Sequence, residues 1–557
     1  MAETAPQETT SVRALANAYV DALAELDPLL ATTLGRPSDR LPDLSPDGHQ
    51  ARDDLARSTL ARLDGVEPAD EDERRCARLL RERLAANLAL SEAGEHLRDI
   101  RSIFSPVHRA RVAFQLMPTA TEEDWAVIAR RMAAVPRAVG DFRLSLDEGV
   151  RGGLFAAPRQ VSTFVEQLDE WLAGRGWFAG FTEGARVPPA LRAELDTGAT
   201  AATSAVAELR RDLAERYLPR AEGTPDAVGA DRYLAWARYW TGADLDLAET
   251  YAWGWAEFQR LRAEMHEQAQ RVLPGASTLE ATRHLDEHGE AVEGEEEIRR
   301  WLQRLMDGAI ADLDGDHFDL TDAMKRVESR IAPPGSAAAP YYTRPAQDLS
   351  RPGRTWLPTL GRTRFPVWDL VSTWYHEGVP GHHLQFAEWA RISGRLSTFQ
   401  TSVGSVSACS EGWALYAERL MDELGYFTDP GTRLGYLDQQ LLRAIRVVID
   451  IGMHLRLEVP GDSPLGAGES WTPELALEFL QAHSGRNADF LESEIVRYLG
   501  GPGQAISYKL GERAWLAGRE AARATRGDAF DLKSWHMAAL SLGALGLDDL
   551  TPELARL

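Results

Sequence analysis

Cysteine is nearly missing from this chain: 557 residues hold two, Cys76 and Cys409, far apart and with no partner at metal-ligand spacing. A disulfide framework and a thiolate zinc site are both excluded, so any metal must be held by histidine and carboxylate. Long apolar runs are missing as well. None approaches the ~18 residues of a membrane span, and the opening Met-Ala-Glu-Thr-Ala-Pro-Gln-Glu lacks the basic end and apolar stretch of a secretory signal. The expected compartment is the cytoplasm. Basic charge is in deficit: Lys and Arg number 61 against 85 Asp and Glu, a formal net charge of −24. Such a surface repels phosphate backbones and anionic lipid heads, which argues against nucleic acid or a membrane as the main partner.

What remains is 44% hydrophobic and 26% charged, the profile of a water-soluble globular chain and not of disorder or collagen. From about Ser11 to Arg330, apolar residues recur three and four apart in an Ala-, Leu-, Arg- and Glu-rich background, which is the helical period. Ser105-Pro106, Ala157-Pro158, Val187-Pro188-Pro189 and Glu222-Gly223-Thr224-Pro225 punctuate it as interhelix turns. No repeat of fixed period and no low-complexity linker divides the chain. A disordered 1–10 followed by one α-rich domain over 11–557 is therefore expected, with a helical lobe to about 225 and a metal-site-bearing region from about 226.

Between Ile331 and Pro366 the pattern changes. Turn chemistry at Pro333-Pro334-Gly335 and Arg351-Pro352-Gly353 separates the β-favouring Tyr341-Tyr342-Thr343 and Thr355-Trp356-Leu357, which predicts a small sheet or hairpin. Two acidic segments draw attention. Glu287 to Glu297 reads as a solvated helix face or loop. Asp312-Leu313-Asp314-Gly315-Asp316 faintly resembles a calcium loop, but His317 stands where glycine is required and Ala323 where glutamate is.

The most informative stretch is Trp374-Tyr375-His376-Glu377-Gly378-Val379-Pro380-Gly381-His382-His383-Leu384-Gln385, where three of thirteen histidines fall within eight residues beside a glutamate. Three buried imidazoles side by side are hard to satisfy without a common ligand, and a metal is one. The pair His376-Glu377 resembles the start of the zinc-peptidase helix His-Glu-x-x-His, whose glutamate activates water. Position 380, however, is proline, and on a regular helix His382 would be turned from His376 by about 240° and raised by about 9 Å. His383 would return to the same face within about 20°, but about 10.5 Å along the axis. Pro380-Gly381 supplies the means of distortion. His376 and His382 are thus the favoured ligands, with His383 as the competing second ligand or a substrate-facing group.

A third ligand is sought in Ser410-Glu411-Gly412-Trp413-Ala414-Leu415-Tyr416-Ala417-Glu418, read as a helix whose Trp413, Leu415, Tyr416 and Leu420 pack inward. Glu411 at its inner start would be costly unless paired, and Glu418 can accept from a ligand histidine. On the helix from Leu442 to Leu457, Arg443, Asp450 and His454 form one polar stripe. That stripe is either structural, with Asp450 fixing Arg443 or Arg446, or it presents His454 to substrate. Near the end of the chain, Tyr508 and then Tyr498 are candidate donors to an oxyanion; no basic cluster stands out as a dedicated carboxylate clamp, and Arg443, Arg446, Arg497 and Lys509 are the candidates for that role.

These residues identify the chain as resembling a bacterial family known as domain of unknown function 885. The family pattern His-Glu-x-x-Pro-Gly-His-His-Leu-Gln fits His376 to Gln385, Glu-Gly-Trp-Ala-Leu-Tyr-Ala-Glu fits Glu411 to Glu418, and Pro-Gly-Gln-Ala-x-Ser-Tyr-Lys fits Pro502 to Lys509. The resemblance is clear from Tyr233 onward and thinner before it. The family is similar in fold to carboxypeptidase Taq and, more distantly, to thimet oligopeptidase and angiotensin-converting enzyme, zinc peptidases of the gluzincin type. The resemblance implies a mainly α, two-lobed fold with a small sheet beside the active-site cleft. It further implies His376, His382 and Glu411 as ligands of one zinc ion, Glu377 as general base and Tyr508 as oxyanion stabiliser.

The function expected is metal-dependent hydrolysis of an amide, a peptide bond in a short peptide, with substrate pairing as an added strand along Thr355-Trp356-Leu357 as far as Pro358 permits. One alternative is a biosynthetic enzyme using zinc, iron or manganese on an unusual amide or C–N bond of a small molecule. Another is a non-catalytic, metal-dependent binding protein. A homodimer is compatible with the sequence.

Overall fold

The structure is a computed structural model and describes residues 11–333 and 339–557. Residues 1–10, expected to be disordered, and Pro334-Gly335 of the expected turn lie outside the described residues. The molecule is mainly helical with small sheets, and its contacts fall into two compact units. Among the described residues, one comprises 11–68, Arg83–Ala235 and Val496–Gly501; the other comprises Ala69–Glu82, Trp236–Ile495 and Pro502–Leu557. Among the described residues, no helix is long and apolar enough to cross a membrane.

The first unit is built on helices. Those over Pro106–Leu116, Glu122–Ala133, Val135–Arg151, Pro158–Leu172 and Pro189–Asp212 bury Phe114, Ile128, Met132, Phe142, Phe164, Leu168, Leu195 and Leu209 in one core. Pro106, Pro158 and Pro189 stand in the first turns of their helices, where the missing N–H costs nothing because that group has no intrahelical acceptor. Ser105 and Thr121 cap the free amides that follow them, the latter in a reciprocal capping box with Asp124.

Among the described residues, the five strands lie in the second unit. β1 (Ala291–Glu293) pairs antiparallel with β5 (Arg364–Pro366). The acidic run from Glu287 to Glu297 is therefore not one solvated helix face or loop. A helix ends at His288, β1 follows, and a new helix begins at Glu295, whose first-turn Glu295, Glu296 and Glu297 sit at the positive end of its dipole. Asp314 of the second acidic segment is engaged by Lys325 Nζ at 2.6 Å and by the Leu320 amide at 3.0 Å.

The second sheet has the order β2-β4-β3. β2 (Val327–Ile331) runs parallel to β4 (Gly353–Leu357), and β3 (Tyr341–Thr343) antiparallel to it. β4 is thus the central strand, and its alternation of buried Gly353, Thr355 and Leu357 follows from the pleat. Thr355 and Trp356 pair with β2 on one side and β3 on the other, and Leu357 pairs with Ile331 of β2, so Thr355 and Trp356 have no free edge for a substrate strand; the edges of the sheet are β2 and β3.

Five helices of this unit concern the site: α1 (Leu370–Glu377), α2 (His382–Arg391), α3 (Ser407–Glu423), α4 (Pro430–Leu455) and α5 (Ser507–Arg526). α4 is buried along nearly its whole length from Leu434 to His454, as a helix apolar on most faces must be. α3 and α5 approach at Gly412 and Gly511, where a Cβ on either glycine would overlap the other's backbone. That crossing seats Glu411, the residue before Gly412. Gly511→Ala should therefore cost about 1–3 kcal/mol through overpacking, read as a lower urea midpoint. An unchanged midpoint would contradict so close a crossing.

Candidate metal centre

The site begins with an interrupted helix. α1 ends at Glu377 and α2 starts at His382, with Gly378-Val379-Pro380-Gly381 between them and a cis Val379–Pro380 peptide. A continuous helix would turn His382 away from His376; the interruption brings the two rings to a centroid distance of 4.9 Å, nearly perpendicular. Glycine is required at the corner because a Cβ on Gly381 would overlap the carbonyl oxygen of His376. The corner is closed by the Gly381 amide donating to Tyr375 O and the His383 amide to Gly378 O, both at 3.0 Å. It is pinned from α3 by the buried Trp413, whose indole N–H is shared between Pro380 O at 2.9 Å and Gly381 O at 3.0 Å.

Trp413 lies two residues beyond Glu411. Glu411 Oε2 stands 3.4 Å from His376 Nε2 and 3.5 Å from His382 Nε2, and the three residues offer ligand atoms within 4.8 Å of one another. Glu411 Oε2 is buried and has no hydrogen-bond partner, and His382 Nδ1 shares that condition. A tetrahedral zinc with bonds of about 2.1 Å separates neighbouring ligand atoms by about 3.4 Å, so the spacing fits such an ion. Among the described residues this is the one His, Cys, Asp and Glu grouping of that kind.

Behind the cluster, His376 Nδ1 donates to Glu418 Oε1 at 2.7 Å. Glu418 is fully buried and also accepts from Ser372 Oγ at 2.7 Å and Gln440 Nε2 at 3.4 Å. Gln440 Oε1 in turn accepts from Lys509 Nζ at 2.6 Å, and that fully buried ammonium is held by Glu512 at 2.6 Å and Glu257 at 3.0 Å. Lys509 is thus committed to an internal network and does not present its charge to a ligand. The chain Lys509–Gln440–Glu418–His376 fixes the imidazole with Nε2 facing Glu411.

Charge tells the same story. Burial disfavours a protonated His376, but Glu411 and Glu418 more than offset it and lift the imidazole to about 9. Burial works to raise the Glu411 carboxyl, yet His382 and His376 hold it well below the usual carboxylate range. Glu377, the half-buried neighbour of His376, is raised by burial, against the pull of His376 and His382. Three carboxylates around two imidazoles make a site that attracts positive charge.

The remaining candidates separate clearly. His383 points elsewhere: its Nε2 donates to Met324 O at 2.7 Å and its Nδ1 accepts from Tyr342 Oη on β3 at 2.9 Å. Burial pushes it down to about 4, so it is neutral with both nitrogens used, and it is neither a ligand nor free for substrate. Together with Trp374 Nε1 donating to Ser329 Oγ of β2 at 3.0 Å, it ties the two histidine helices to the sheet. His454 is not brought to the cluster. It lies fourteen residues beyond Gln440, about 21 Å along α4, 3.9 Å from Asp450. Asp450 accepts the Gly503 amide at 2.9 Å, so this end of the stripe is structural and anchors the glycine-rich turn before α5. Tyr508 begins α5 with its ring 5.0 Å from the Arg446 guanidinium. Arg497 and Tyr498 stack on each other within the first unit's Val496–Gly501 segment. Trp413 as a pin, Tyr342 and Gln440 were not singled out from the sequence. Trp413 stood in view as a packing residue, and nothing in local pattern marks the other two.

A family model described as "Bacterial protein of unknown function (DUF885)" matches residues 28–554. No functionally curated protein matches the chain. Among solved structures, a protein from Colwellia psychrerythraea described as a candidate lipoprotein is similar with a TM-score of 0.85 at 23% identity, over 98% of each chain. A candidate lipoprotein of unknown function from Shewanella oneidensis is similar with a TM-score of 0.77 at 17% identity, over 98% of this chain and 99% of its own. At these identities the likeness is one of fold.

Trp413→Phe keeps the ring and removes the donor that pins the corner, leaving the buried Pro380 and Gly381 carbonyls short of a partner. It should cost about 1–3 kcal/mol, checked by denaturant unfolding. No loss of stability would mean that the corner holds without the indole.

Proposed function

The chain belongs to the bacterial DUF885 family, and we propose that it is a metal-dependent hydrolase, holding one zinc ion on His376, His382 and Glu411 and cleaving an amide bond in a short peptide. The observation that carries this reading is the convergence of two imidazole Nε2 atoms on a buried carboxylate oxygen that has no hydrogen-bond partner. Two nitrogens and one oxygen are the donor set of many hydrolytic zinc sites, which leave a fourth position open. When bound, such an ion supplies Lewis acidity toward a carbonyl and lowers the pKa of water.

In this reading Glu418 holds His376 in the tautomer that leaves Nε2 free, and Glu377 takes the proton from attacking water and delivers it to the departing amine. The raised carboxyl of Glu377 suits a group that must both accept and return a proton. Tyr508 is assigned the role of donor to the developing oxyanion. His383 and the sheet keep the two histidine helices in place. A two-lobed peptidase-like arrangement and a cytoplasmic site of action belong to the same proposal.

Native protein purified without chelator should carry one equivalent of zinc by mass spectrometry, lost in His376→Ala, His382→Ala and Glu411→Ala. Iron or manganese in its place would favour a biosynthetic reaction on the same ligands, and the absence of any metal after reconstitution would sink the ligand assignment. Glu418→Gln should keep the stoichiometry but weaken zinc by about 10–100-fold in a chelator competition. Glu377→Gln should retain zinc and lower peptide turnover by about 10²–10⁴-fold; retention of full activity would remove Glu377 from the chemistry.

A further inference from the structure

We propose that the substrate carries a carboxylate and that Arg443 binds it beside the His376, His382 and Glu411 cluster. The inference rests on the hydrolase reading and names the class of amide on which that site acts.

Position comes first. On α4, Gln440 reaches Glu418, the residue that holds His376, and Arg443 follows three residues later on the same helix face. Arg443 is half-buried, and its hydrogen-bond partners are poor. Nη1 donates to Gln439 O at 3.1 Å and to the side-chain oxygen of the same residue, while Nε is buried with no partner. No carboxylate of the described residues lies within the 4.0 Å of an ion pair with it.

Its neighbours are otherwise. Arg446 is paired with Glu494 at 2.7 Å, Arg486 with Asp438 at 3.4 Å and Arg419 with Glu512 at 2.8 Å. Arg344 lacks an acid partner, but it lies over the Phe386 ring and spends its donors on Thr401 O and Ser405 Oγ. In a chain with 85 acidic residues against 61 basic ones, a half-buried guanidinium without an acid is not explained by scarcity. Burial disfavours its charge; Glu418 offsets part of that cost, and Arg446 and Arg486 add to it. A guanidinium in that condition is completed by an incoming carboxylate, which accepts from two parallel N–H groups where a neutral group accepts from one. Arg443 bears on Glu377 and Glu418 beside the two imidazoles, so it is the positive group that lets an acid approach the carboxylates of the cluster.

The carboxylate has two sources, the terminus of a peptide or an acidic side chain next to the scissile bond. The test uses the full-length, metal-loaded protein and three N-acetylated dipeptide series: free acid, terminal amide, and terminal amide with a glutamate side chain. Arg443→Gln should raise KM for the preferred acid by about 10–100-fold, the worth of a lost charge-assisted pair, with kcat changed far less and the neutral amide unaffected. Arg443→Lys, which keeps the charge without the fork, should fall between. Calorimetry with N-acetylglycine and N-acetylglycinamide gives a readout apart from turnover. The acid should bind at least about 10-fold more weakly to Arg443→Gln than to wild type, at equal zinc content.

Free-acid preference points to the terminus, and preference for the glutamate amide to the side chain; either supports the proposal. Equal KM for acid and neutral amide in the wild type, or N-acetylglycine affinity unchanged in Arg443→Gln, overturns it. If no peptide is cleaved but N-acetylglycine binding still depends on Arg443, the hydrolase reading fails and the carboxylate site stands. Cleavage without acid preference gives the reverse.

Discussion

The four-residue corner between Glu377 and His382 is the constraint on which the rest of the site depends. An α-helix returns to the same face every three or four residues, so histidines six apart cannot share an ion unless the helix is broken between them. Breaking it buries carbonyls that need donors, and the indole of Trp413 supplies one from α3. Because Glu411 is on that same helix, the group that fixes the corner and the carboxylate that faces it move as one body. The glycine crossing of α3 and α5 holds that body at backbone distance.

Behind the imidazole, polarity is arranged in series. Lys509, with Glu257 and Glu512, orients Gln440; Gln440 and Ser372 orient Glu418; Glu418 orients His376. Each buried polar atom along this line has its partner, which is the condition under which a low-dielectric network rigidifies a core instead of weakening it. The line ends at Glu411 Oε2 and His382 Nδ1, where partners run out. A satisfied chain that leads to a carboxylate oxygen without a partner between two imidazole nitrogens leaves a negative charge that a cation would neutralise.

Sequence pattern revealed the ingredients more readily than their assignment. The His376 to His383 cluster and the Glu411 helix stand out because charged and imidazole groups in apolar surroundings demand partners, and the mainly helical character follows from apolar spacing over long windows. The choice between His382 and His383 did not follow, since it turns on a hydrogen bond to Tyr342, forty-one residues away, and on the Met324 carbonyl. β1 escaped notice because three residues inside a run of glutamates carry no strand period. The centrality of β4 depends on which strands flank it, a long-range fact. His454 shares a stripe with Arg443, but a stripe on a twenty-six-residue helix spans more length than one site can use. Gln440 and Arg443 acquire meaning only when their partners, or the want of them, are known.

The interleaving of the two compact units bears on how this chain was assembled and how it can be taken apart. The backbone passes from one unit to the other after residues 68, 82, 235, 495 and 501. Neither unit is a cassette with a single beginning and end, so neither can be exchanged by one recombination or released by one proteolytic cut. The six residues Val496–Gly501 are the extreme case: Val496 to Gly500 end the helix Ala488–Gly500, the segment groups with the first unit, and the turn that Asp450 anchors ahead of α5 follows at once. A truncation before that point would remove Val496–Gly501 from the first unit and, from the second, Lys509, which heads the hydrogen-bonded line to His376. The interleaved chain, and not either unit alone, is then the piece on which selection acts.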